Sequence, residues 1–156
     1  MARQMSPERE REFTELAGYL DYFATHVMGV DPGSPVHPTN TIKDIVERFG
    51  RSKALDGLRQ AVNDTVESLD GKPGVAQALD EALRANALLS FYEVARRYAS
   101  AYRNILKRAR IKNETEYYLV HGALVDGANS LAADERAELA RLIDEFENPA
   151  VAVKGS

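Results

Sequence analysis

Apolar residues recur along this chain at spacings of three and four almost from end to end, the periodicity of helices that each bury one face. Phe13, Leu16, Ala17, Leu20, Phe23, Ala24, Val27 and Met28 make the first stripe. Ser6-Pro7-Glu8 ahead of it reads as a helix start. The serine can accept from an orphan amide, the proline lacks a donor that would have no partner, and the glutamate complements the dipole. VDPGSPVHPTN, residues 30–40, ends this helix in a stiff, extended connector with three prolines and a glycine.

Ile42, Ile45, Val46 and Phe49 predict a short helix with all four facing inward, stopped by Gly50. Ser52 can cap the next, whose stripe is Leu55, Leu58, Val62, Val66 and Leu69, and the turn cluster DGKPG at 70–74 closes it. From Val75 to Arg110 neither proline nor glycine intervenes. That run predicts a single helix of about 50 Å at 1.5 Å per residue, the spine of the fold. Asn113 and Glu116 have capping-box spacing and open a helix through Tyr117, Tyr118, Val120, Leu124 and Val125. DGANS, residues 126–130, turns the chain into a last helix, about 132–146, with Leu139, Leu142, Ile143 and Phe146 inward. The expected fold is all-α: a single-domain helical bundle, residues 1–156, of five or six helices around one long helix at about 75–110. Residues 6–148 are its ordered core, and 1–5 and 149–156 fray.

Composition narrows the chemistry. The 156 residues, 44% hydrophobic and 28% charged, suffice for a core without disulfides or metal. Twenty Lys and Arg against 24 Asp and Glu give a net charge of −4, which argues against coating nucleic acid by bulk charge. The chain has no cysteine, so thiolate catalysis, thiolate metal sites and disulfides are excluded together. MARQMSPERERE has no apolar core of the secretory-signal kind, and no apolar run approaches the roughly 20 residues that cross a bilayer. A cytoplasmic protein of bacterial style, with no membrane partner, is the expectation.

Any basic site is therefore local, and FYEVARRYASAYRNILKRARIK, residues 91–112, is where it lies. Seven basic and four aromatic side chains surround the one acid, Glu93. On a helix, Phe91, Tyr92, Ala95, Tyr98, Tyr102, Ile105 and Leu106 fall on a broad apolar face. Arg96, Arg97, Arg103, Lys107 and Arg108 fall opposite. This separation weakens a single-strand nucleic-acid reading, which needs aromatic and basic groups together. It leaves a protein-docking face of Arg96, Arg97, Tyr98, Tyr102, Arg103, Lys107, Arg108 and Arg110, because Arg and Tyr anchor protein interfaces. Two structural readings compete. Glu93 can pair with Arg97 one turn on, and the acids Asp134, Glu135, Glu138, Asp144, Glu145 and Glu147 of the last helix can fold back on the arginines. The apolar face can equally serve as a homodimer seam.

A second segment, TIKDIVERFGRSKALDGLRQAV at 41–62, resembles a helix-turn-helix in part, with Arg51, Lys53 and Arg59 on its second helix as DNA contacts. It departs from the motif where Arg51 and Asp56 stand in place of apolar residues. HExxH, Glu-x-x-His, the phosphate-binding Gly-rich loops and G-x-S-x-G are all absent. The 126–137 segment lacks the glycine and terminal glutamate of a calcium loop. His26 reads as a boundary residue beside Tyr22, His37 as a connector residue, and His121 as a surface histidine near Tyr117. No cofactor and no metal are expected. The expected function is a non-enzymatic interaction protein, an adaptor, inhibitor or immunity-type partner of a protein with an acidic surface. The alternative is a DNA-binding regulator using 41–62.

Overall fold

A computed structural model of the chain describes residues 5–126 and 130–149. Every regular element among them is helical: α1 (Pro7–Tyr22), α2 (Pro38–Phe49), α3 (Arg51–Ser68), α4 (Pro73–Ala85), α5 (Phe91–Tyr98), α6 (Ser100–Arg108), α7 (Glu114–Asp126) and α8 (Ala133–Glu147). The all-α class is as the periodicity predicts. The turn expected at 126–130 falls mostly on residues outside the described ones, as do most of the ends expected to fray. None of the described helices is long and apolar enough to cross a membrane.

The single long helix does not form. Three helices, α4, α5 and α6, occupy 73–108. The first break is a left-handed cap in disguise: Ala87 takes φ 57°, its amide bonds the Arg84 carbonyl at 3.1 Å, and the Leu88 amide reaches back to Leu83 at 2.9 Å. That pair of bonds ends helices usually at glycine. Ser90 then restarts the chain, its Oγ accepting from the Glu93 amide at 3.3 Å. The second break is one extended residue, Ala99 at φ −81° and ψ 127°, and Asn63 of α3 accepts the freed Ser100 amide at 3.0 Å. With no spine, α3, α5 and α7 form the centre: α5 packs on α3, α4, α6 and α7, and α7 carries α8. Leu55, Leu58, Leu83, Phe91, Ile105, Leu139 and Leu142 are buried in one shared core. The apolar face offered as a homodimer seam is thus covered within the chain.

Helix starts follow the caps. Ser6 accepts from the Arg9 amide at 3.3 Å, with Pro7 behind it. A five-residue π-helical turn, Phe23–Val27, continues α1. Its extra residue per turn shifts the register, so Val27 and Met28 emerge exposed instead of completing the stripe. Phe49, expected inward, is 66% exposed. It stands at the outer corner where Gly50, at φ 89°, swings α2 into α3. Gly50, not Ser52, precedes α3, which has no side-chain cap. Asn113 Oδ1 accepts from Glu116 N at 2.9 Å as its spacing predicts, while Glu116 Oε1 reaches the Lys112 amide at 2.9 Å, one residue further back than a reciprocal box.

Candidate functional site

The basic segment divides at Ala99. In the α5 half the cap sets the geometry: Ser90 fixes Glu93 in the first turn, where it receives Arg96 and Arg97, the latter at 2.7 Å. Arg96 also faces Glu135 of α8 at 3.6 Å, and Arg97 faces Glu15 of α1 at 3.9 Å. Burial by itself raises Glu93, but the two guanidiniums outweigh it and hold the carboxyl below its ordinary range. The fold-back of the acidic last helix is thus real at Glu135.

The two tyrosines of the expected face are internal ties. Tyr98 donates to Glu12 Oε2 at 2.6 Å, and Tyr102, only 2% exposed, donates to Glu135 Oε2 at 3.0 Å. Burial, then the hydrogen bond to a carboxylate, pushes both phenols up. The docking face expected of Tyr102 is corrected accordingly: its ring belongs to the core. Arg96 and Arg97 are likewise spent on internal acids. In the α6 half Arg108 binds Glu116. Arg103 and Lys107, one turn apart on α6, and Arg110 and Lys112 beyond it are exposed and have no ion-pair partner among the described residues. No acid occurs between 103 and 112 to offset them. A groove of about 340 Å³ adjoins this patch, lined by Arg108 and Lys112, by the apolar Phe91 and Leu119, and by the acids Glu67, Asp70 and Glu116.

The 41–62 segment does form two helices around Gly50, and two of its cations pair with acids of α1. Arg51 donates to Glu10 at 3.1 and 2.6 Å, with its guanidinium 4.1 Å over the Phe13 ring. Arg59 donates to Glu12 at 2.9 and 2.7 Å. That forked contact, joined by the Tyr98 hydroxyl, holds Glu12 below its ordinary range. Of the three expected DNA contacts, Arg51 and Arg59 are thus paired with acids of α1, and Lys53 is exposed with no ion-pair partner among the described residues.

Two features escape a reading of the sequence. His37 is no loose connector residue: it is 0% exposed and caps α2. Its Nδ1 accepts from the Thr39 amide at 3.2 Å, so in the neutral ring Nε2 carries the proton and faces Thr25 Oγ1 at 3.0 Å. The X-His-Pro spacing, a polar residue immediately before a helix-starting proline, was the available signal. Asp80 of α4 and Asp126 of α7 form a buried carboxyl pair 46 positions apart in the chain. Its only sequence trace is an acid on the otherwise apolar stripe Ala76, Leu79 and Leu83. Among the described residues no group of three or more histidines and acids is arranged to hold a metal ion. No protein-family model matches the chain, and neither a curated protein nor a solved structure matches it.

Proposed function

We propose that the chain works without catalysis, as a binding protein that docks an acidic surface of another protein on the α6 side of its basic segment. The observation that carries this reading is the concentration of unpaired cations at Arg103, Lys107, Arg110 and Lys112, while Arg96, Arg97 and Arg108 are matched to acids of the same chain. Like charges one turn apart, as at Arg103 and Lys107, cost a few tenths of a kcal/mol unless an anion lies near. The adjoining groove offers an apolar wall beside the charge, the combination that interface anchors use. A DNA-binding reading has less support, since two of its three cations are engaged by Glu10 and Glu12.

The test is co-purification from native lysate of wild type and of the Arg103→Glu, Lys107→Glu double variant, with and without nuclease. The expected result is a protein retained by wild type after nuclease treatment and lost by the variant, with the variant's helicity by circular dichroism unchanged. Equal retention by the variant overturns the reading. Retention that disappears with nuclease, and falls steeply with moderate salt, favours nucleic acid instead.

A further inference from the structure

Helix α4 carries a carboxyl where its pattern calls for an apolar side chain. Asp80 lies on the buried stripe of Ala76, Leu79 and Leu83 and is 1% exposed. Its Oδ1 accepts the Tyr92 amide at 3.0 Å, and its Oδ2 lies 3.1 Å from Arg84 Nε. The last residue of α7 brings a second carboxyl to the same guanidinium. The Asp126 side chain is 5% exposed, and its Oδ1 is 3.6 Å from Arg84 Nη1. Its Oδ2 is the one buried side-chain polar atom among the described residues with no hydrogen-bond partner. Leaving such an atom unmatched is costly, the more so when it is charged.

One guanidinium therefore faces two buried carboxyls, and Glu81 adds a third acid at the edge of the same pocket. The pocket lies between α4 and α7, has a volume of about 160 Å³, and is walled by Tyr92, Tyr118 and His121. Its charge excludes an anion. A hard metal ion needs six or more oxygen ligands, whereas here Arg84 already occupies the space facing both carboxyls. An organic ammonium can supply the donor that Asp126 Oδ2 lacks, and its charge takes the place of the proton that the two carboxyls otherwise hold beside Arg84. Phenol rings can add cation–π attraction to such a group. A cavity of roughly 150 Å³ takes a benzene-sized guest, which sets the scale at about half a dozen heavy atoms.

We propose that the α4–α7 pocket binds a small primary amine, whose ammonium group donates to Asp126 Oδ2 and neutralises the Asp80–Asp126 pair. The amine's rival is the proton. While the site is empty the two carboxyls share one, and binding of an ammonium expels it to solvent as the pair becomes doubly ionised. Acid therefore weakens binding; the other titratable and charged groups facing the pair are Glu81 and Arg84 of α4, Tyr92 of α5, and Tyr118 and His121 of α7.

Calorimetric titration of the full chain with 1,4-diaminobutane tests this directly. Saturable one-to-one binding is expected at about pH 7.5 and at least about tenfold weaker at about pH 5.5, with proton release detectable at about pH 6, where the empty pair still holds its proton, by comparing buffers of different ionisation heat. Asp126→Asn should lower the affinity at least about tenfold at unchanged helicity. 1-Butanol, of the same length without the charge, should give no saturable heat. No binding by wild type, undiminished binding by Asp126→Asn, equal binding of butanol, or displacement of the amine by equimolar magnesium or calcium overturns the proposal. If Asp126→Asn fails to fold, the proton release and the butanol control decide on wild type alone: a pocket that holds only its proton shows neither amine heat nor release.

Discussion

Glu12 ties three helices through one carboxylate: Arg59 of α3 grips both oxygens and Tyr98 of α5 adds a third bond. Charge-assisted bonds of this kind are stronger than neutral ones, and removing one partner strands the others. Glu12→Gln should therefore lower stability by about 1–2 kcal/mol, discounted for the partial exposure of Arg59. Chemical denaturation at neutral pH measures this, and a loss no larger than that of an exposed acid on another helix, Glu47→Gln, would show that the tie is idle. Gly122 makes a different kind of residue-scale demand. A Cβ placed there would lie 2.5 Å from three atoms of the Tyr92 ring, so the α5–α7 contact depends on the missing methyl. Gly122→Ala should destabilise by about 1–3 kcal/mol through overpacking, despite the better helix propensity of alanine. A thermal melt at or above the wild-type midpoint would contradict this close approach.

Between residues and the fold stand the helix ends, and here two alanines do a glycine's task. Ala87 at φ 57° ends the α4 segment and Ala109 at φ 59° caps α6. A left-handed backbone at a residue with a Cβ costs roughly 1–2 kcal/mol. Glycine removes that cost but adds freedom to the unfolded chain, so Ala87→Gly and Ala109→Gly should each stabilise by about 0.5–1 kcal/mol. If 75–110 were one continuous helix, the same substitutions would destabilise by about 1 kcal/mol each, so the sign of the change in melting temperature decides. The alanines also explain what the sequence hides. Periodicity finds α1, α2, α3, α7 and α8 because their limits are written locally, in Pro7, Gly50, the 70–74 cluster and Asn113. It runs through 86–90 because no glycine or proline marks the break, although Ser90-Phe-Tyr-Glu93 has capping-box spacing that betrays the restart. The break at Ala99 has no local mark at all, since the group that accepts the Ser100 amide is Asn63. The candidate site divides the same way. Which residues are basic is plain in the sequence, but which basic residues stay unpaired depends on Glu10, Glu12, Glu15 and Glu135, brought in from elsewhere in the chain.

At the scale of the whole molecule, acids of opposite tendency set how stability varies with pH. Burial, then the neighbouring Asp126 carboxyl, pushes Asp80 up to about 7. Between its unfolded value of about 3.9 and that level the folded chain holds a proton that the unfolded chain has released, so stability falls as pH rises through this window and levels off above it. Glu12 and Glu93 are held below their ordinary value by Arg59, Arg96 and Arg97, and act in reverse. Their stabilisation is complete above about pH 4.3 and is lost as pH falls through their lowered folded values. The two limbs cross between about pH 4 and 5, which places the maximum well below neutrality. Urea unfolding midpoints from acid to slightly alkaline pH trace both limbs in the wild-type chain. Asp80→Asn keeps the shape of the side chain and an oxygen for the Tyr92 amide but has nothing to titrate, so it should abolish the decline between about pH 4 and 7 while leaving the acid limb intact. A wild-type midpoint that is flat over that interval would mean the Asp80–Asp126 pair shares no proton. A decline that persists in Asp80→Asn would assign the titration to another group, and the amine pocket would lose the proton with which its ligand is proposed to compete.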